Sequence, residues 1–153
     1  MPLVVTAILG MTGCTVTSFD RSTLHDVPSD RVYLHQESLP EEAIVEVVRL
    51  NNFATGGCYL TFLINGQRAA RLDTNEVATF HLKPGEYVFH NTYDWDGRAL
   101  CGVYNEQHCR TMGQIRRQTI EGGKKYTFRM GVNFWSGVLR LYTDSEGIPL
   151  GNQ

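Results

Sequence analysis

Apolar and polar residues alternate along much of this chain with the two-residue period of half-buried strands, and no run of ten or more residues follows a helical period. AIVEVVRL at 43–50 is rich in β-branched side chains, and RVYLHQ at 31–36 reads as a short strand. YLTFLI at 59–64 and the run 67–73 flank Asn65-Gly66, a strong hairpin signal because both turn residues must take positive φ. Val77 to Leu82 and Glu86 to Asn91 flank Lys83-Pro84-Gly85. Gln114 to Ile120 and KYTFRMGV at 125–132 flank a Glu-Gly-Gly-Lys turn, and GVLRLY at 137–142 reads as a closing strand. Turn signals every eight to twelve residues between these runs predict an all-β fold, an antiparallel β-sandwich of about seven to nine short strands.

The hairpin rule also predicts registers. A two-residue loop at Asn65-Gly66 pairs Ile64 with Gln67 and hence Phe62 with Ala69. A turn at Pro84-Gly85 sets Leu82 against Tyr87 and Phe80 against Phe89, and a Thr74-Asn75 loop joins the two hairpins into a four-strand meander. That register turns Arg71 inward, a conflict that a β-bulge near Asp73, or a longer loop, removes by bringing Leu72 inward instead, and the bulge is favoured. Residues 92–113 are polar, contain glycine and two cysteines, and read as a long irregular excursion.

Composition narrows the function classes a little. At 153 residues, 42% hydrophobic and 20% charged, the chain suits one domain with a substantial core. A net charge of −2 gives no basic surplus, and the stretch from Arg110 to Arg117 with Lys124 and Lys125 is short and interrupted, so no nucleic-acid partner is expected.

The N-terminus carries the expectation about compartment. PLVVTAILGM at 2–11 is too short to span a bilayer as a helix and has the length of a signal-peptide apolar region. It runs into Met11-Thr12-Gly13-Cys14, which resembles the lipobox of bacterial lipoproteins. The resemblance implies cleavage after Gly13, a diacylglycerol on Cys14, and acylation of the new amino terminus. Thr15, where the family's sorting rule reads Asp as a retention mark, implies outer-membrane placement with the domain facing the periplasm. The basic residues that normally precede the apolar run are missing here, the pattern expected of a truncated signal. The other reading of the same residues is a buried first strand with an incidental cysteine. The expected organisation is therefore a signal at 1–13, lipidated Cys14 with a flexible tether through 30, a sandwich domain at 31–146 and a tail at 147–153.

From RVYLHQ through GGCYLTFLINGQRAARLDTNEVATFHLKPGEY to KKYTFRM the chain resembles small bacterial lipoproteins of uncharacterised role. Their core is a transthyretin-like or carboxypeptidase-regulatory-like β-sandwich. The resemblance spans about 31–143 and implies a fold. It brings no catalytic residue with it, and with no G-x-S-x-G, metal-ligand motif or framed carboxylate pair, neither an enzyme nor a cofactor is expected.

The candidate chemistry is modest. With Cys14 acylated, Cys58, Cys101 and Cys109 would stand in an oxidising periplasm, where one bridge is expected. Cys101–Cys109 is favoured because both lie in the same excursion, with a bridge from Cys58 to either as the alternative. In the meander register His81 and His90 are diagonal neighbours that could share a metal, with His108 as a third ligand, though two ligands do not close a zinc site and a solvent-facing pair is the plainer reading. Asp94-Trp95-Asp96-Gly97 is like the start of a calcium loop but is also ordinary turn chemistry. Tyr93, Trp95, Tyr104, Phe134 and Trp135 lie outside the clear strands, as anchors for a protein partner or as plugs for the sandwich ends. The leading expectation is a non-enzymatic, lipid-anchored interaction or assembly module of the bacterial envelope with an envelope protein as partner. The rival is a periplasm-facing lipoprotein that binds a small ligand or metal through His81 and His90.

Overall fold

The structure, a computed structural model, describes residues 20–50, 57–97, 99–132 and 139–150. Among them are nine strands: β1 His25–Asp26, β2 Ala43–Arg49, β3 Leu60–Ile64, β4 Gln67–Leu72, β5 Glu76–Leu82, β6 Gly85–Tyr93, β7 Gln114–Ile120, β8 Lys124–Val132 and β9 Leu139–Pro149. They form two sheets, ordered β1-β5-β2-β8-β9 and β4-β3-β6-β7. The β2–β8 and β1–β5 pairs are parallel and the rest antiparallel, so the expected all-β sandwich is the architecture.

Alternation builds the interior. Ala43, Val45 and Val47 of β2, Ala78, Phe80 and Leu82 of β5, and Tyr126, Phe128 and Met130 of β8 meet Leu60, Phe62 and Ile64 of β3 and Phe89 of β6. Phe62 links the sheets, with ring centroids 5.8 Å from Phe80 and 5.6 Å from Phe89.

The β3–β4 hairpin forms at Asn65-Gly66, with φ of 50° and 78°, and Ile64 pairs with Gln67. The bulge that the Arg71 conflict called for is also present, but at Ala69: Phe62 pairs with Ala70, and Leu63 with Arg68. The extra residue shifts the parity of β4, so Leu72 is buried against Leu60 while Arg71 faces out.

The four-strand meander is overturned. β5 belongs to the first sheet, paired along its whole length with β2, whereas β6 pairs with β3 and β7. Leu82 and Tyr87 are therefore not cross-strand partners, and Lys83-Pro84 leads from one sheet to the other. Pro-Gly favours a type II turn, whose twist splays the flanking strands instead of pairing them.

RVYLHQ is not a strand of either sheet. Val32 forms a single bridge to Ala70, Tyr33 N–H donates to the Ala69 carbonyl at 2.8 Å, and His81 N–H donates to the His35 carbonyl at 2.9 Å. The segment thus closes the gap between β4 and β5. On the opposite flank, side chains do the same work. Asn91 Nδ2 donates to the Arg140 carbonyl at 2.9 Å, and Leu141 N–H donates to Gln114 Oε1 at 2.8 Å.

Folded structure also begins earlier than 31. Leu24 packs with Val48 and Val77, Val27 joins the main core, and β1 lies on β5. Residues 20–30 are thus part of the body, not tether. At the other end β9 continues to Pro149, past the expected boundary at 146. Residues 1–13, Cys14, Phe134 and Trp135 lie outside the described residues.

Candidate functional site

Strand ends converge where β4 turns into β5, and a cleft of about 610 Å³ opens there, lined by Asp30, Arg31, Cys58, Tyr59, Arg71, Asp73, Asp96 and Cys101. Its floor is an arginine–tyrosine stack: the Arg31 and Arg71 guanidinium carbons lie 4.7 and 4.9 Å from the centroid of the Tyr59 ring. Each arginine is also held by a carboxylate. Arg31 donates to both Glu76 oxygens, Nη1 to Oε2 at 2.8 Å and Nη2 to Oε1 at 2.5 Å, which raises Arg31 above its ordinary pKa. Arg71 donates through Nε to Asp94 Oδ1 at 3.1 Å and through Nη2 to Oδ2 at 2.5 Å. Thr61 Oγ1, 3.2 Å from Asp94 Oδ1, completes the shell of a carboxylate with no exposed side-chain surface.

Beneath the cleft, Arg49 occupies an inward position of β2, following Val45 and Val47, and is buried. Its Nη1 donates to the Cys58 and Leu72 carbonyls, the latter at 2.7 Å. Burial pushes its pKa down to about 10, opposed by Asp73 and Glu76, so it remains a cation at neutral pH. It closes the end of the sandwich by binding the main chains that enter β3 and leave β4.

One wall of the cleft is the excursion after β6, whose described residues include a 3-10 helix at Ala99–Gly102 and an α-helix, α1, at Glu106–Thr111. Asn105 caps it, its Oδ1 accepting from the His108 N–H at 2.9 Å. Several contacts fasten the excursion. Cys58 and Cys101 form a disulfide, and Trp95 lies between arginines, 4.2 Å from Arg68 and 5.4 Å from Arg110 measured to the ring centroid.

The favoured Cys101–Cys109 pairing is thus corrected to the alternative, Cys58–Cys101. Cys109 is free and buried on α1, while Cys101 is drawn to the segment entering β3 by the tight approach of Gly97 and Gly102. A Cβ on Gly102 would meet the Gly97 carbonyl oxygen at 2.1 Å. Burial, and after it the charge of Asp94, pushes the Cys109 thiol up, away from the thiolate that nucleophilic chemistry needs.

The histidines are not brought together. His81 faces out from the five-stranded sheet, with Nδ1 2.9 Å from Glu42 Oε1, beside Leu34 and His35. His90 faces out from the other sheet and is buried beneath α1. A shared metal would need them on one face, and β5 and β6 lie in opposite layers. His108 is exposed on α1, stacked on Tyr104 at 4.4 Å. Among the described residues no three His, Cys, Asp or Glu side chains gather as metal ligands. The Asp94-Trp95-Asp96-Gly97 carboxylates are taken up by Arg71 and Arg68.

No family model matches the chain. No curated protein matches it either. Its candidate surfaces therefore rest on geometry. Of the loop aromatics, Tyr93 packs against the core, Trp95 is half-buried in its arginine stack, and Tyr104 is exposed beside exposed Val103. Sequence reading missed Arg31, Arg49, Tyr59 and Glu76. A signal was available for Arg49, which continues the inward parity of Ala43, Val45 and Val47, and for Arg71, whose conflict with the hairpin register marked an arginine with a job outside the core.

Proposed function

We propose that this protein is a lipid-anchored lipoprotein of the bacterial envelope, of the transthyretin-like sandwich kind, acting as a non-enzymatic interaction module. The observation that carries the reading is the Cys58–Cys101 disulfide, which locks the excursion after β6 onto the start of β3. Such a bridge belongs to an oxidising compartment, and the Met11-Thr12-Gly13-Cys14 sequence offers a route into one. The arginines of the cleft, Arg31 and Arg71, are held by Glu76 and Asp94, an arrangement that stiffens a surface without activating a nucleophile or a base. The excursion so fastened displays Val103 and Tyr104, which are 62% and 49% exposed, and these are the anchors a partner would use.

The anchor is tested by feeding labelled palmitate: label enters the protein and is lost in Cys14→Ser. Incorporation that persists in that variant, or none in the parent, rejects the anchor. The surface is tested by crosslinking in intact cells. A discrete adduct formed by the parent and lost in Tyr104→Ser, with the melting temperature unchanged, supports it. An adduct pattern unaffected by Tyr104→Ser places the contact elsewhere. Trp95 is the poorer probe, because its removal also takes a stacking partner from Arg68 and Arg110.

A further inference from the structure

We propose that the anchored domain stands on its membrane with the β4–β5 end down, so that the cleft holding Tyr59 and the disulfide opens toward the lipid headgroups. The inference rests on acylation of Cys14 and adds an orientation to it.

The reach of the chain decides the matter. The described residues begin at Asp20, whose Oδ1 accepts from the Ser22 N–H at 2.9 Å and from Ser22 Oγ at 2.7 Å. Leu24 is buried, and from there the chain is tied to β5: His25 N–H donates to the Asn75 carbonyl and Val27 N–H to the Val77 carbonyl, both at 2.9 Å. Asp20 therefore sits at the β4–β5 end. Cys14 precedes it by six residues, and six fully extended residues reach at most about 22 Å. β5 alone has seven residues, about 23 Å of strand, before the Lys83-Pro84 corner at the far end. With the far end on the bilayer, an acyl chain on Cys14 would reach its lipid only if all six residues were stretched to their limit. With the end that holds Asp20 facing the membrane, no such stretch is needed.

Charge at the cleft does not oppose this orientation. The cleft mixes Asp30, Asp73 and Asp96 with Arg31 and Arg71, and the two arginines are already paired with Glu76 and Asp94. Such a surface has no basic surplus to draw it onto anionic lipid, so the tether sets the geometry and the orientation is insensitive to salt.

The test uses the acylated full chain in phosphatidylethanolamine–phosphatidylglycerol vesicles containing a headgroup-labelled energy acceptor. A donor dye is placed on Thr74→Cys or Lys83→Cys, with the parent chain as a control that buried Cys109 takes no dye. The expected result is stronger transfer from position 74, with a closest approach shorter by about 23 Å, the length of β5, unchanged between low and high salt. A twenty-residue Gly-Ser insertion between Cys14 and Asp20 should abolish the difference. Equal transfer from both positions, or stronger transfer from position 83, in a chain that mass spectrometry shows to be acylated overturns the orientation alone. A parent chain that carries no acyl group and does not bind vesicles overturns the anchor reading and the orientation with it.

Discussion

Asp94 has no exposed side-chain surface, and Arg71, about one-fifth exposed, supplies two of the hydrogen bonds that keep its charge tolerable. Removing one member of a buried pair leaves the other uncompensated, at a cost of about 3–5 kcal/mol, whereas replacing both with apolar groups is often close to neutral. Arg71→Ala should therefore lower stability by about 3 kcal/mol in urea denaturation. The double variant Arg71→Met with Asp94→Leu should recover most of that. Equal losses in the two would show that the pair is solvated. His90 presents the opposite case, a buried imidazole whose pKa is lowered by burial, even though a backbone hydrogen bond at Arg110 works to raise it. Because the unfolded chain holds the proton more tightly, stability is full above the ordinary histidine value near pH 6.5 and is lost as pH falls from there through the lower folded value. His35 shifts in the same direction. His90→Gln should flatten, without abolishing, the fall in melting temperature between about pH 6.5 and 5, and a slope unchanged by it would assign the effect to other groups.

At the scale of elements, local turn chemistry was legible and the choice of partner strand was not. Asn65-Gly66 specified its hairpin because the requirement for positive φ at both positions is met within two residues. Gly66 has φ of 78° with nothing within 4 Å of an added Cβ, so Gly66→Ala should cost about 1 kcal/mol, all of it conformational. A thermal shift near zero would show that the turn rearranges. Between Leu82 and Tyr87 the sequence offered an equally good local pattern, yet β5 is taken by β2 across seven register pairs. That pairing joins residues some thirty positions apart, a choice that no turn rule contains. The same reasoning explains the cysteines. Cys101 and Cys109 are close in sequence, but α1 carries Cys109 into the interior while the Gly97–Gly102 corner delivers Cys101 to Cys58. The bridge spans 43 positions, and closing a loop of that length is worth about 4 kcal/mol on the chain-entropy account. Cys101→Ser should show a loss of about that size, much larger than Cys109→Ala; a larger loss for Cys109→Ala would make the core thiol, and not the staple, the greater support.

For the molecule as a whole, the sequence pattern contained the layered body and left its closure unseen. Alternation at 43–49, 60–64, 77–82 and 126–130 names most of the core, because burying one face of a strand leaves a period of two in any sheet order. The closures are made by single contacts, Val32 and Tyr33 on β4 at one flank and Asn91 and Gln114 on β9 at the other, which have no periodic signature. The arginine–aromatic stacks under the cleft are invisible for the same reason, since Arg31, Tyr59 and Arg71 meet only after β3 and β4 have paired. What emerges is a body whose cleft end is held by paired charges and one disulfide and which, on the proposed reading, stands within a short reach of its lipid. Peptide mass mapping of protein alkylated under denaturing conditions without reduction, after isolation from membranes of cells that express it, tests that account most directly. It predicts an acylated N-terminal Cys14 peptide, a linked Cys58–Cys101 pair and an alkylated Cys109. An unmodified Cys14 within an uncleaved leader, or a Cys101–Cys109 link with Cys58 alkylated, would contradict it.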